Sequence, residues 1–212
     1  MSAPEAPSSP QAGEPRRPPD EGMVDLTRLS PWDRDVLEIA PLAGRAAELQ
    51  RLIEARGFKL PPVGQVAGTD DRIVLCVRPG RWLWVEPRQE AGASAGQWEE
   101  ACAGVATVVD LSSALKVYAL AGSAVSEVLA RGCRLDLNPG VFAAGRAART
   151  LMAQVSVIIA RGDSGMLLLT PATTAQHFLE WLTATARPFG LREDADFDPE
   201  DSFIRPAGAS EI

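Results

Sequence analysis

The sequence predicts an α+β fold in which antiparallel or mixed sheets carry helices packed on one side. Three observations predict it. Apolar residues recur at helical spacing in four separate stretches. Between those stretches lie pairs of β-rich runs joined by short turn signals, the pattern of hairpins. Hairpins that alternate with helices favour sheets covered by helices over a doubly wound parallel sheet. A chain of 212 residues with 46% hydrophobic content can also bury such a core without covalent staples.

The elements follow in order. Leu42, Ala46, Leu49, Leu52 and Ile53 fall on one helical face, and Gly57 stands where a C-cap belongs. RIVLCVR (72–78) and RWLWVE (81–86) flank Pro79-Gly80 as a hairpin. AGASAG (91–96) reads as a flexible link, and residues 97–103 as a short helix. GVATVVDLS and ALKVYALAG are two further strands. Ser123 then caps a helix whose Val125, Val128 and Leu129 share a face and which stops before Gly132. Residues 151–160 and 166–170 flank RGDSG as another hairpin. In the last helix, 174–186, Phe178, Leu179, Leu182 and Ala186 line one side, and Pro188 ends it.

Charge and composition divide the chain into three parts. Residues 1–22 hold six prolines and almost no large apolar side chain, so they read as a disordered arm. Residues 193–212 form an acidic tail in which Phe197, Phe203 and Ile204 offer a docking alternative to disorder. The net charge of −7 belongs to these ends: −2 in the arm, −6 in the tail, and +1 in the 170 residues between, from 18 basic and 17 acidic side chains. A body so nearly neutral argues against nucleic-acid binding, which draws on clustered Lys and Arg. No stretch approaches the ~20 apolar residues that span a bilayer, and the N-terminus lacks a secretory apolar core. The expectation is a cytoplasmic protein, with residues 23–192 as its folded domain. Cys76, Cys102 and Cys133, odd in number and widely spaced, fit a reducing compartment better than a disulfide framework or a metal cluster.

The search for chemistry finds little. His177 has no nucleophile motif beside it and reads as a partly buried helical residue. G-x-G-x-x-G and G-x-x-x-x-G-K-[ST] loops are both missing. Asp110 and Asp136 sit in apolar settings, VVDLS and RLDLN; each could orient an amine or a pterin, but a carboxylate there more often ties a turn. Cys133, between two arginines, could be a reactive thiol or a small apolar filler after a helix end. Trp82 and Trp84 alternate along one strand, point to the same side, and read as core beneath the helices rather than as an exposed platform.

Taken together, RPGRWLWV (78–85), the long run VVDLSSALKVYALAGSAVSEVLARGCRLDLNPGVFAAGRAARTLMAQVSVII (108–159), LLLT and AQHFLEWL (175–182) resemble the gamma subunit family of heterotetrameric sarcosine oxidase. The most specific part is the junction GC-x-x-DL-x-P-x-x-F-x-x-G-x-x-A-x-T, which here supplies Gly132, Cys133, Asp136, Leu137, Pro139, Phe142 and Gly145. The chain departs from the family pattern at Ser113-Ala114-Leu115, where a His-Arg pair is common, and at Pro171-Ala172-Thr173-Thr174, where Arg-Ser-Phe-Ala is. The resemblance implies a fold like the folate-binding aminomethyltransferase domain of the glycine cleavage system. It also implies alpha, beta and delta partner subunits holding NAD, tetrahydrofolate, FAD, FMN and zinc, and a complex that demethylates sarcosine to glycine in one-carbon metabolism. This chain would then bind none of those groups by itself and act in assembly. On that reading the junction residues, Trp82 and Asp110 are structural or interface positions, with no catalytic, cofactor or metal residue. A sister N-methyl amino acid dehydrogenase complex, or a free-standing folate-binding aminomethyltransferase-like protein with a cavity near Asp110 or Asp136, are the alternatives.

Overall fold

The computed structural model describes residues 24–27, 34–68, 71–163 and 165–193. The expected N-terminal arm and all but the first residue of the expected acidic tail lie outside them. Two sheets lie face to face, and each carries helices on its outer side.

The five-stranded sheet runs in the order β3 (Gln65–Gly68), β4 (Ile73–Arg78), β5 (Arg81–Pro87), β2 (Arg34–Pro41) and β6 (Ala106–Asp110), all antiparallel. The six-stranded sheet runs β11 (Arg192–Glu193), β1 (Val24–Thr27), β7 (Leu115–Gly122), β10 (Gly165–Pro171), β9 (Val155–Arg161) and β8 (Ala147–Met152). It is antiparallel except for the short β1–β11 pair.

Side chains alternate across each strand, so every central strand feeds two cores. From β10, Leu167 and Leu169 join Val36, Leu75, Leu83, Val85 and Ile158 between the sheets. Met166 and Leu168 turn outward to meet Val128 and Leu129 of α3 (Val125–Ala130) and Phe178 and Leu182 of α4 (Ala175–Ala186). On the other sheet Val74 and Trp84 turn outward under Leu49 and Ile53 of α1 (Ala46–Glu54) and Trp98 of α2 (Ala93–Ala101). Each such aliphatic side chain, fully buried, contributes about 1.5–3 kcal/mol. The α+β class holds, as does the core role of Trp82 and Trp84: Trp84 is fully buried, and Trp82 packs beside it and donates from Nε1 to the Pro61 carbonyl at 2.9 Å.

Several element boundaries differ from expectation. Leu42 precedes α1 and is exposed; its amide bonds Val105 O at 2.9 Å, which continues the pairing of β2 with β6 instead of starting a helix. Gly57 does end that helix, with φ +82° and the Phe58 amide bonding Ile53 O. AGASAG is mostly helix: α2 begins at Ala93 because buried Ser94 and Ala95 are small enough to seat it on the sheet. The N-cap of α3 is Ala124, with no side-chain bond from Ser123. Residues 151–160 are two strands, split by a turn at Ala153 and Gln154, whose φ values are +49° and +66°. His177 is exposed, because the buried stripe of α4 runs through Ala175, Phe178, Leu182 and Ala186.

Candidate functional site

The junction between α3 and β8 is built from the residues that single it out in sequence. After α3 the chain reaches Gly132, where an added Cβ would overlap the Trp181 indole at Cζ2 and lie 2.8 Å from Cη2. Glycine is therefore what lets α4 close over the end of α3. Cys133 is half-buried against the α3/α4 core and bridges Met152 across the backbone. The Asp136 carboxylate accepts the Asn138 amide at 2.9 Å, and the Asn138 side chain accepts the Gly140 amide at 2.9 Å, two successive Asx turns of which the second encloses exposed Pro139. Leu137 and Phe142 drop from this scaffold into the core.

One residue that sequence reasoning passed over holds the junction down. Arg161, at the end of β9, donates from Nη2 to the Leu137 carbonyl at 2.7 Å and to Ser126 Oγ at 2.8 Å. Its Nε is buried with no partner, and burial lowers the guanidinium pKa. RGDSG reads as a hairpin tip in which an arginine is ordinarily solvated, so nothing local marked it.

The same region stitches the two sheets. Gly145, with φ +82°, takes the Arg161 carbonyl through its amide at 2.8 Å and offers its own carbonyl to the Val66 amide at 2.9 Å. Ala147 N reaches Gly64 O at 2.9 Å, so β3 of one sheet is tied to the start of β8 of the other. Val141 and Leu151 stay 62% and 47% exposed on this side, with Arg146 and Arg149 also exposed.

The remaining candidates stand apart from the junction in sequence and in role. Asp110 closes β6, its carboxylate accepting the Ser112 amide at 2.9 Å, while Ser112 Oγ accepts the Val36 amide at 3.0 Å. Burial pushes the thiol pKa of Cys76 and of Cys102 up, which keeps both protonated and inert. Among the described residues no group of three or more His, Cys, Asp and Glu side chains is placed to hold a metal ion. Nor is any described helix long and apolar enough to cross a membrane.

A second cluster lies at the far end of the five-stranded sheet. Glu86 faces the helix side of β5 and is only 2% exposed. Its Oε2 accepts Arg72 Nε at 3.1 Å and Trp84 Nε1 at 3.2 Å; its Oε1 accepts Trp98 Nε1 at 3.3 Å and the Ser94 hydroxyl. Four donors compensate a carboxylate that would otherwise be costly to bury. Above it opens a cavity of about 360 Å³ lined by Arg56, Phe58, Arg72, Glu86, Gln97, Trp98 and Ala101. It is bordered by neither Asp110 nor Asp136. A charged residue at a strand end gave no sequence signal for this, because the donors come from three segments: Arg72 before β4, Trp84 on β5 itself, and Ser94 and Trp98 on α2.

Comparison with known proteins follows the same lines. The profile of the sarcosine oxidase, gamma subunit family matches residues 43–187. The sarcosine oxidase subunit gamma of an Arthrobacter species is 35% identical over 144 residues, 66% of this chain and 68% of that one. A chain of the heterotetrameric sarcosine oxidase from Corynebacterium sp. U-96, solved in complex with pyrrole 2-carboxylate, superposes with TM-score 0.69 and 28% identity, over 84% of this chain and 90% of that one. Aminomethyltransferase T of the Bartonella henselae glycine cleavage system superposes with TM-score 0.60 at 17% identity, over 82% of this chain and 48% of its own, a likeness of fold.

Proposed function

The chain belongs to the sarcosine oxidase gamma subunit family, and from that premise we propose that it is the gamma subunit of a sarcosine oxidase-type heterotetramer, serving assembly and stability. The observation that carries this is the junction. Its motif residues satisfy their own turns, fill the core or admit a neighbouring ring, and none converges with another on a space where a substrate could react. Such residues make a surface of fixed shape, and a subunit held in a complex contributes through binding.

The cofactors of the reaction then sit in the partner subunits: FAD and FMN for the redox step, NAD, tetrahydrofolate as acceptor of the one-carbon unit, and zinc in the small subunit. The complex works in the cytoplasm on sarcosine. On this reading Gly132, Cys133, Asp136, Leu137, Pro139, Phe142 and Gly145 shape the junction, Trp82 and Asp110 support the layer behind it, and partners meet the exposed side at Val141, Leu151, Arg146 and Arg149.

Co-expression with the neighbouring large subunits tests the proposal. The tagged chain is expected to carry flavin-containing partners through affinity and size-exclusion steps. A Val141→Asp/Leu151→Asp double variant should fold normally yet elute alone. A wild-type chain that stays monomeric and never co-purifies with a flavoprotein sinks the assembly role.

A further inference from the structure

The cavity over Glu86 is unrelated to the junction, and its construction has a ligand's requirements in it. We propose that it is a binding site for a small planar molecule bearing a carboxylate or similar oxyanion. The inference does not depend on the subunit role.

Charge is the first argument. Two guanidiniums, Arg56 and Arg72, line the cavity from different segments, against the single carboxylate of Glu86. That carboxylate already accepts four donors, so its charge is locally answered. Arg72 spends only Nε on it, and Arg56 donates from Nη1 to the Leu52 carbonyl at 3.2 Å, which leaves both cations with donor capacity. An oxyanion between planar guanidiniums is the pairing they favour.

Shape is the second. Phe58 and Trp98 are aromatic walls, and the Arg72 guanidinium stands 5.7 Å over the Phe58 ring. Trp98 also leans on Trp84, with ring centroids 4.5 Å apart. A flat ligand can pack against these walls, and a volume of about 360 Å³ admits a one- or two-ring molecule. Rigidity is the third. A buried carboxylate is rarely the most stable way to fill a core, yet Glu86 fixes the Trp98 indole and Arg72 together. Both are lining residues, so the return on burying the charge is a preorganised site.

Isothermal titration of the full-length chain with benzoate, and with acetate as the non-aromatic control, decides it. Benzoate is expected to saturate with a dissociation constant of about 1 mM or tighter, and acetate to bind at least about tenfold more weakly. Arg56→Gln, at an exposed side chain, should weaken benzoate about tenfold through loss of one charged donor. Ala101→Phe should place a ring inside the cavity and obstruct binding, with circular dichroism confirming the fold; if that variant unfolds, Arg56→Gln decides alone. No saturation of the wild type by about 10 mM benzoate, equal affinity for acetate, or unchanged binding in a folded variant would each overturn the proposal.

Discussion

Replacing Glu86 by Gln removes the charge at the centre of the outer core while keeping the shape. In the wild type each carboxylate oxygen serves two donors: Arg72 Nε and Trp84 Nε1 on one, Ser94 Oγ and Trp98 Nε1 on the other. Glutamine keeps one oxygen and turns an NH2 group toward the other pair, so two donors lose their acceptor and face a third. A buried donor left unpaired costs about 1–3 kcal/mol, and breaking a buried charge pair about 3–5 kcal/mol. The Arg72 side chain is 37% exposed and can turn to water, whereas that of Glu86 is 3% exposed. The lower end therefore applies, about 3 kcal/mol. For a chain of this size that lowers Tm by about 6–12 °C. Thermal melts followed by tryptophan fluorescence suit the measurement, since Trp84 and Trp98 both donate to the lost carboxylate. A Tm within about 2 °C of wild type would mean that the four-donor arrangement does not hold the helices on this sheet.

Other outcomes are as definite. Gly132→Ala should cost about 1–3 kcal/mol as Trp181 is displaced, read by urea denaturation. Ala153→Asn/Gln154→Gly should stabilise by about 1–2 kcal/mol, because it relieves left-handed strain at a two-residue hairpin; a lower Tm would contradict the turn geometry. Asp136→Ala should lose about 1 kcal/mol and reduce the yield of assembled complex, while Cys133→Ser leaves turnover of the reconstituted complex nearly intact; collapse of turnover with assembly preserved would make Cys133 catalytic. Cys76 and Cys102 have folded-state pKa values raised above the ordinary 9.0 by burial. Their contribution to stability is thus full below pH 9.0 and declines as pH rises through the folded values, which chemical denaturation between pH 8 and 10.5 would register as falling stability, roughly 1.4 kcal/mol per proton per unit at most.

Elements whose signal is local were legible from sequence. The Pro79-Gly80 hairpin, the β7 strand and the stripe of α4 all rest on periodicity and turn residues. Strands lacking such a signal were not. In β2, Arg34 through Ile39 are buried on both faces apart from Glu38, which pairs with Arg78 and Arg81, so neither a helical nor an alternating pattern shows. The Ala153-Gln154 turn carries none of the Gly or Asn that such backbone angles usually require. Long-range chemistry was hidden for a different reason. Arg161 matters through partners 35 and 24 residues away, and Glu86 through donors on three different segments, pairings that a single chain of letters does not spell out. The junction motif was readable because its geometry is short-range: Asp136, Asn138 and Gly140 bond one another.

The stacking of the two sheets bears on how the chain reaches its fold. Strands β2 to β6 build one sheet from an unbroken segment, and β7 to β10 build four strands of the other from the next. Each half can gather its hairpins and helices locally, which is the fast part of folding. Docking comes afterwards, since the Gly64–Ala147 and Val66–Gly145 bonds join positions far apart along the chain. Until it occurs, Val36, Leu75 and Leu83 on one half and Ile158, Leu167 and Leu169 on the other form two flat apolar faces open to water. Those faces are as able to meet a neighbouring chain as each other, so refolding yield should fall with protein concentration even though the finished molecule keeps that layer inside.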